Sequence, residues 1–440
     1  MTQGWSSRRI ALAGALLACA AAMLVAVPAS HAASFGSPVV VTGDDLGEPG
    51  IDVANDGTIY VNAPTGLLSN LPGSPSAVFR STDGGSSWTK TPDGARSNLP
   101  GGGDSDISLD PNNGKIYMTD LWLGSATIAT SSDKGETWTA NPFEGTPVQD
   151  RQWISTPGGD VAYHLTHQIP AGLVVSKSVD GGLTFPLRTV AATPVDQTGC
   201  ICPSGNLISE AGGGTLGSSD KVGLVYATST GGVNFARSTN GGLTFSQSSV
   251  SPASDADTTQ AFPVVANAGG NHLVAAWLEN IGNDSSRIRF SDSTNWGSSW
   301  SAPKTLVSAG ASVYPWVAAS GSHVAVSLYH SDTSGTSQSV PDSAQWFETY
   351  MESTDGGATF SAPQTVDPTP VKSGPICTEG TGCSGDRELL DFQSVALDNS
   401  NLADVAYTRS IDGNSNTELR FAHETGSATT TGAHKKGHKH

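Results

Sequence analysis

The sequence is poor in charged residues, and in basic residues above all. Only 14% of its 440 residues are charged, and 22 Lys and Arg stand against 40 Asp and Glu. The resulting net charge of −18 argues against nucleic acid or an anionic membrane surface as a partner. Amphipathic helical periodicity is also missing, so long surface helices are not expected. What the chain has instead is 52 Gly, 25 Pro and many Ser and Thr, which favours β-strands joined by turns.

Long apolar runs are missing after residue 32, so we expect no membrane span. The run from Ile10 to Val27 follows Arg8 and Arg9 and ends at a small-residue cleavage site, which is the pattern of a secretory signal. Cys19 offers a lipobox alternative, but the apolar run continues past it, which favours soluble release. Residues 1–32 are therefore predicted to be the signal peptide of a secreted protein.

Cysteine is scarce, with five in the chain and four after the signal segment: Cys200, Cys202, Cys377 and Cys383. An even number in an exported chain predicts two disulfides, with three possible pairings. A bond between Cys377 and Cys383 would close a small local ring, whereas cross-pairing would tie two long loops together. No histidine stands at ligand spacing beside these cysteines, so we expect no metal, and we expect no cofactor.

Six segments repeat the pattern Ser-x-Asp/Asn-x-Gly-x-x-aromatic at intervals of 47 to 60 residues, a period typical of propellers. They are Ser81–Trp88, Ser131–Trp138, Ser178–Phe185, Ser238–Phe245, Ser293–Trp300 and Ser353–Phe360. The acid or amide side chain can close a turn by accepting backbone N–H groups. The segments resemble the Asp box, or BNR repeat, of sialidases and related proteins. The resemblance implies turns between the third and fourth strands of each blade, away from the active site.

A strand–turn–strand element is also repeated, and it occurs seven times against six boxes. The N-terminal segment Phe35 to Val41 looks like the strand that follows a box. We therefore predict an all-β propeller of seven four-stranded blades over residues 33–424, with six blades as the alternative. The N-terminal strand would complete the last blade, which removes exposed sheet edges. Residues 425–440 are predicted to be a disordered tail rich in His and Lys.

In such a propeller, the starts of the inner strands and the ends of the second strands meet on one face. Carboxylate pairs there can perform glycosidic acid–base chemistry, and arginines can bind a substrate carboxylate. The candidate catalytic residues are Glu48, Asp104, Glu279, Tyr314 and Asp391. The candidate substrate-binding residues are Arg151, Arg387, Arg409, Trp153 and Trp316.

The sialidase resemblance implies roles for these residues. Arg151, Arg387 and Arg409 would hold the sugar carboxylate, and Tyr314 or Tyr329 would form a nucleophile pair with Glu48 or Glu279. Asp104 or Asp391 would be the acid/base. The family's Arg-Ile-Pro signature is absent, and Glu48-Pro-Gly50 occupies that region.

The expected function is thus that of a monomeric, secreted, exo-sialidase-like glycoside hydrolase acting on extracellular glycans. The alternative is a non-catalytic propeller that binds glycan or protein at the same funnel. Convergence of all three arginines near a Tyr–Glu contact would favour the enzyme.

Overall fold

A computed structural model describes residues 1, 33–66, 73–122, 124–144, 148–198, 203–414 and 416–427. Most of the predicted signal peptide, both Cys200 and Cys202, and positions 428–440 of the predicted tail lie outside the described residues. In the described part of the chain there are thirty β-strands and three short 3₁₀ helices, at Gly94–Asn98, Thr215–Gly217 and Gly380–Gly382. No helix found there has the length and apolar character needed to cross a bilayer.

The first half of the chain supplies strands β1 to β14. They are β1 (Ala33–Phe35), β2 (Val39–Thr42), β3 (Gly50–Val53), β4 (Ile59–Ala63), β5 (Ala77–Ser81), β6 (Thr89–Lys90), β7 (Ser105–Leu109), β8 (Ile116–Trp122), β9 (Ser125–Ser131), β10 (Thr139–Glu144), β11 (Gln149–Gly158), β12 (Val161–Gln168), β13 (Gly172–Ser178) and β14 (Leu187–Ala192).

The second half supplies strands β15 to β30. They are β15 (Ser204–Glu210), β16 (Lys221–Ala227), β17 (Val233–Ser238), β18 (Ser246–Ser251), β19 (Val264–Gly269), β20 (His272–Ile281), β21 (Ser285–Ser293), β22 (Lys304–Val307), β23 (Ala311–Ser320), β24 (His323–Ser331), β25 (Gln345–Ser353), β26 (Gln364–Thr365), β27 (Lys372–Ser373), β28 (Ser394–Leu397), β29 (Ala403–Ile411) and β30 (Asn416–Ser427).

The described strands form seven antiparallel sheets, each of which is one propeller blade. Six blades take consecutive strands from the inside outwards, beginning with β3, β7, β11, β15, β19 and β23. The seventh begins with β28, and its inner strand contacts both β23 and β3, which closes the ring. The prediction of seven blades is confirmed, and the six-blade alternative is wrong.

The seventh blade is completed by the N-terminal segment, as predicted. Both β1 and β2 pair with β30, with Ala33 opposite Ser427 and Val39 opposite Phe421. Strand β30 runs to Ser427, past the expected end of the propeller at residue 424. Pairing both ends of the chain in one blade removes the free edges that an open ring would expose.

The second strand of every blade carries one large aromatic side chain that is almost fully buried. These residues are Tyr60, Tyr117, Tyr163, Tyr226, Trp277, Tyr329 and Tyr407. Strands covered on both faces by neighbouring blades read as nearly continuous apolar segments. The core is therefore a set of interfaces between blades, which fixes the direction in which each inner strand meets the central channel.

The six repeat segments form turns between the third and fourth strands of blades one to six. In the first, Ser87 N–H donates to Asp83 Oδ1 at 2.9 Å and Gly85 N–H donates to Ser81 Oγ at 2.9 Å. Equivalent bonds recur around Asp133, Asp180, Asn240, Asn295 and Asp355. We call this end of the blades the turn end. The opposite end, where the inner strands begin, is the funnel end.

Candidate functional site

Near the start of three inner strands at the funnel end stands a non-glycine residue in the left-handed backbone region. Glu48 has φ 50°, Arg151 has φ 28° and Tyr314 has φ 52°. In β11 and β23 the ladder register also slips beside Arg151 and Tyr314. Bulges redirect side chains, and strained backbone of this kind clusters at functional sites. The three residues therefore agree with the placement of the predicted site at the inner-strand starts.

Arg151 lies between two carboxylates that come from different blades. Its Nη1 is 3.8 Å from Glu48 Oε2 and 3.8 Å from Asp104 Oδ2. Because both oxygens are 3.8 Å from the same nitrogen, the distance between them is at most twice 3.8 Å. Glycoside hydrolases hold their two carboxyl groups roughly 5–10 Å apart, so this upper limit falls within their range.

A third carboxylate joins this group through the loop that enters blade seven. Asp391 Oδ2 is 2.5 Å from Arg387 Nη2, and its backbone N–H donates to Glu48 Oε1 at 3.0 Å. Blades one, two, three and seven thus bring together five of the predicted residues. Tyr314 of blade six joins them, since it lines a small cavity together with Asp391. We call Glu48, Asp104, Arg151, Tyr314, Arg387 and Asp391 the Glu48 cluster.

The floor beneath the cluster is aromatic. The rings of Trp153, Phe262, Trp316 and Phe392 contact one another with centroids 5.1 to 6.4 Å apart. The guanidinium carbon of Arg151 stands 3.6 Å from the Trp153 centroid and 4.6 Å from that of Phe392. Because cation–π attraction is strongest away from water, this floor stabilises the buried charge and fixes the plane of the guanidinium.

Three side chains of the cluster have buried polar atoms without a hydrogen-bond partner among the described residues. They are Arg151 at Nε, Nη1 and Nη2, Tyr314 at its hydroxyl, and Arg387 at Nε. Buried polar groups in native proteins are nearly always satisfied, and unsatisfied ones call for an explanation. Each of these groups can donate to an oxygen of a bound molecule that reaches it.

Burial sets the protonation chemistry of the cluster. It raises the pKa of Glu48 well above its ordinary value, and the neighbouring charges of Asp391 and Asp104 add to the rise. Burial also raises the pKa of Asp104 to about 6, although the Arg151 charge opposes it. Burial and the charge of Asp391 raise the pKa of the Tyr314 hydroxyl. Raised carboxyl pKa values in a cleft are typical of groups that transfer protons near neutral pH.

A cavity of about 450 Å³ opens above the cluster. Its lining combines charged side chains with glycine, proline and leucine, and it comes from the funnel ends of blades one, two, three and seven. The lining residues are Glu48, Pro64, Gly66, Gly102, Gly103, Asp104, Leu121, Asp150, Glu379, Gly380, Arg387, Leu390 and Asp391. A smaller cavity of about 120 Å³ shares Gly380 and Asp391 with it and is lined by Tyr314. These sizes suit a sugar ring or a small chain of sugars.

Two predicted site residues lie outside the Glu48 cluster, and each pairs with a charged residue of its own blade. Glu279 pairs with Arg287 at 2.5 Å and accepts from Trp277 Nε1 at 3.1 Å, so its charge is neutralised within blade five. Arg409 pairs with Glu418 at 3.2 Å and lines a different cavity. Tyr329, the alternative to Tyr314, uses its hydroxyl to hydrogen-bond the backbone of Thr408 between blades six and seven.

Cys377 and Cys383 form a disulfide, so the local ring is the pairing that the structure contains. The ring carries Glu379 and Gly380 to the edge of the main cavity. Thr378 inside the ring donates to Gln260 Oε1 at 2.6 Å, which ties it to the loop that enters blade five. The disulfide therefore holds one wall of the funnel in place.

Sequence reasoning missed Asp150, Glu379 and the two phenylalanines of the floor. A signal for the phenylalanines was present, because Phe262 and Phe392 follow a polar inner-strand start as Trp153 and Trp316 do. Nothing in the local sequence indicates that Glu379 reaches the cavity, since its position depends on the disulfide ring. The described residues also contain no group of three or more His, Cys, Asp or Glu that could hold a metal ion.

Comparison with known proteins supplies structural neighbours and no family. No protein-family model matches the chain, and no curated protein does. The similar structures include a Dyadobacter fermentans protein of unknown function, with 15% identity, a TM-score of 0.47 and coverage of 89% of this chain and 98% of that one. A Niastella koreensis GH74 enzyme has 18% identity, a TM-score of 0.49 and coverage of 89% and 55%. The endosialidase of phage phi92 has 11% identity, a TM-score of 0.49 and coverage of 93% and 72%. Similarity at this level assigns neither activity nor substrate, and the propeller rests on this chain's own strand pairing.

Proposed function

We propose that this protein is an exported glycoside hydrolase of sialidase-like layout that cleaves its glycan substrate at the Glu48 cluster. The observation that carries the proposal is the convergence of three carboxyl groups, two arginines and a tyrosine at the funnel end. Glu48, Asp104, Arg387 and Asp391 line the main cavity, Tyr314 lines the adjoining one, and Arg151 lies between Glu48 and Asp104.

Asp104 is the proposed general acid. Its side chain is 26% exposed at the cavity wall, and its pKa of about 6 leaves it protonated in mildly acidic solution. A carboxylic acid in this range can donate a proton to the leaving oxygen and later accept one from water. The Gln152 side chain donates to the backbone carbonyl of Asp104, which fixes the position of this residue.

Tyr314 is the proposed nucleophile, with Glu48 as its base. In the first step the phenolic oxygen bonds to the anomeric carbon while the glycosidic bond breaks. Glu48 takes the phenolic proton, and Asp104 gives its proton to the leaving oxygen. Water then attacks the anomeric carbon, losing a proton to Asp104, and Tyr314 leaves and regains its proton from Glu48. Because burial raises its pKa, Glu48 can act as this base only in the molecules in which it is ionised, and there it is a stronger base than an ordinary glutamate.

Arg151 and Arg387 are the proposed contacts for the substrate's acceptor groups. The N–H groups of Arg151 have no hydrogen-bond partner in the described chain, and Arg387 lines the cavity. Arginine binds a sugar carboxylate in a bidentate manner, so sialosides are the first substrates to test. Neutral glycosides belong in the same test, because the third predicted arginine lies outside the cluster.

Export is proposed on two grounds. The N-terminal segment has the pattern of a secretory signal, and the Cys377–Cys383 disulfide suits an oxidising compartment.

The alternative is a non-catalytic glycan-binding propeller, and the position of Arg409 favours it. With Arg409 paired to Glu418 in another cavity, the cluster offers two arginines where a sialidase uses three. Binding without turnover would then be the function of the same funnel.

The deciding experiment measures turnover by the purified protein on aryl glycosides and on sialic-acid, chito- and cello-oligosaccharides. We expect hydrolysis of at least one class, and we expect Glu48→Gln and Tyr314→Phe to abolish it while the protein remains folded. Absence of turnover on every substrate, together with measurable binding of one of them, would replace the hydrolase with the binding propeller.

A further inference from the structure

Two more cavities adjoin the main one along the funnel end. A cavity of about 380 Å³ shares Pro64, Gly66, Arg387 and Leu390 with the cavity above the Glu48 cluster. A third, of about 720 Å³, shares Asp386 with the second. The consecutive residues Asp386 and Arg387 therefore stand between neighbouring spaces, and the three cavities follow one another from blade two across blade one to the junction of blades six and seven.

The third cavity, which we call the Arg409 cavity, is lined mainly by polar and charged groups. Its charged residues are Asp342, Lys372, Asp386, Arg409 and Asp412. Apart from Ile411, its lining has no large aliphatic or aromatic side chain of the kind that anchors a protein partner. Closely spaced donors and acceptors of both charge signs suit a molecule that carries many hydroxyl groups.

The two cations of this cavity are already paired with carboxylates. Lys372 Nζ is 2.7 Å from Glu388 Oε2 and 3.4 Å from Asp386 Oδ1. Arg409 donates through Nη1 to Glu418 Oε1 at 3.2 Å and through Nε to the carbonyl of Pro370 at 3.3 Å. Because neither cation is left to attract an anion, the cavity does not select a strongly anionic ligand, and a polyhydroxylated chain is the occupant that fits.

The cavity wall is also held in place by backbone hydrogen bonds. Val371 N–H donates to the carbonyl of Trp346 at 2.8 Å, and Ser410 N–H donates to the carbonyl of Val371 at 2.7 Å. The indole of Trp346 donates to the carbonyl of Gly374 at 2.8 Å. Such a preformed surface binds a ligand without first paying for loop ordering.

We propose that the Arg409 cavity is a distal subsite for the glycan chain whose scissile bond lies at the Glu48 cluster. The inference rests on the proposed hydrolase function and deepens it. The substrate is then an oligosaccharide or polysaccharide that spans all three cavities, and the enzyme recognises several sugar units instead of one terminal sugar. Arg409, to which the sialidase resemblance gives a place in a carboxylate-binding triad, instead binds hydroxyls in the distal subsite.

The test measures kcat/KM for the hydrolysed oligosaccharide series from two to six units, alongside the aryl glycoside of its terminal sugar. We expect kcat/KM to rise with chain length. Arg409→Gln should lower it about tenfold for the longest chains, equivalent to about 1.4 kcal/mol, and leave the aryl glycoside unchanged. Arg287→Gln is the matched control, because Arg287 is also paired with a glutamate at a blade end but lies on blade five.

Chain-length independence, or an equal loss on short and long substrates in Arg409→Gln, would overturn the subsite. Calorimetry on the Asp104→Asn variant with the same oligosaccharides provides a second measurement that does not need turnover. If no substrate is cleaved, the hydrolase proposal fails, while tighter binding of longer chains that weakens in the Asp104→Asn, Arg409→Gln double variant would still support the subsite. If no oligosaccharide binds, both fail.

Discussion

The two ends of the blades are built on different principles. At the turn end, the same hydrogen bonds recur in six blades and the acidic side chains are exposed, as with Asp83 and Asp133. At the funnel end the charged and polar residues differ from one inner strand to the next, and Glu48, Arg151 and Tyr314 stand near the starts of three different strands. Residues that stabilise the same turn in every blade are expected to repeat. Residues that differ at equivalent positions indicate a site that forms only when the blades assemble into the ring.

The electrostatics of the two ends differ in the same way. Side-chain and backbone hydrogen bonds from Ser87 lower the pKa of Asp83 to about 2, and Thr137 does the same for Asp133. Burial instead raises the pKa of Asp104 to about 6. A carboxylate that is held ionised can only accept hydrogen bonds, whereas one near neutrality can transfer a proton. Asp83 and Asp133 therefore act as structural acceptors, whereas Asp104 can transfer a proton.

The largest expected contrast comes from the same substitution at each end. We expect Asp104→Asn to lower kcat about 10²- to 10⁴-fold, the usual contribution of a general acid, and to remove the loss of activity as pH rises through about 6. We expect Asp133→Asn to leave kcat unchanged, because Asn240 and Asn295 form the same turn in blades four and five. Steady-state kinetics across pH 4–9 measure both effects.

Circular dichroism and thermal melting are the control for folding in this pair. Equal activity of Asp104→Asn and the wild type would remove Asp104 from the mechanism. A loss of activity in Asp133→Asn at unchanged stability would mean that the turn end takes part in the chemistry, and the contrast would then be lost.

The second contrast concerns residues with left-handed backbone conformation. In the repeat turns, glycines such as Gly85 adopt it. Gly85 has φ +83°, and a Cβ there would lie 1.9 Å from Phe421 Cε1 of the neighbouring blade. We expect Gly85→Ala to reduce the free energy of unfolding by about 2–5 kcal/mol, from backbone strain and overpacking together. Activity at a temperature where the variant is folded should be unchanged, since the substitution is far from the funnel.

Gly57 is the matched control because it has φ +82° with nothing within 4 Å of the position a Cβ would take. Its alanine variant should lose only the strain, about 1–2 kcal/mol. Chemical denaturation measures both variants. An equal cost at the two positions would show that contact with the neighbouring blade does not contribute.

The fold could be predicted from the sequence because its signals are local and repeated. The box spacing, the seven strand pairs and the N-terminal strand near Val39 each required only a few consecutive residues. The same logic identified Glu48, Asp104 and Arg151, since the start of an inner strand must face the channel in a propeller. Their mutual contacts, as well as those with Tyr314 and Asp391, are consequences of ring geometry.

Predictions about the ends of second strands were less secure, for a physical reason. A side chain there can turn inwards to the channel or pair with its own blade, and local sequence does not decide between them. Glu279 pairs with Arg287, and Arg409 pairs with Glu418 on the adjacent strand. Glu379 was missed because a disulfide ring, not a strand, brings it to the cavity.

The smallest expected effect is on the pH dependence of stability. Burial raises the pKa of Asp52 to about 6 and of Asp106 to about 7, although each accepts a backbone N–H from the next blade, at Leu109 and Ile154. Because these folded-state values lie above the unfolded value of about 4, their contribution to stability is present below pH 4 and is lost as pH rises through 6–7.

The turn-end carboxylates act in the opposite sense. The pKa values of Asp83 and Asp133 are lowered to about 2, so their contribution to stability is lost as the pH falls from about 4 to 2. His167 and His330 have pKa values lowered by burial, so they favour the folded state at higher pH. They oppose the effect of Asp52 and Asp106 and reduce the dependence of stability on pH.

We expect the melting temperature to be a few degrees higher at pH 5 than at pH 8, and we expect Asp106→Asn to reduce this difference. The exposed Asp284 is the matched control, and its Asn variant should leave the slope unchanged. A melting temperature that rises from pH 5 to pH 8 would show that the inner-strand carboxylates are not destabilised by burial, and the electrostatic contrast between the two ends would fail.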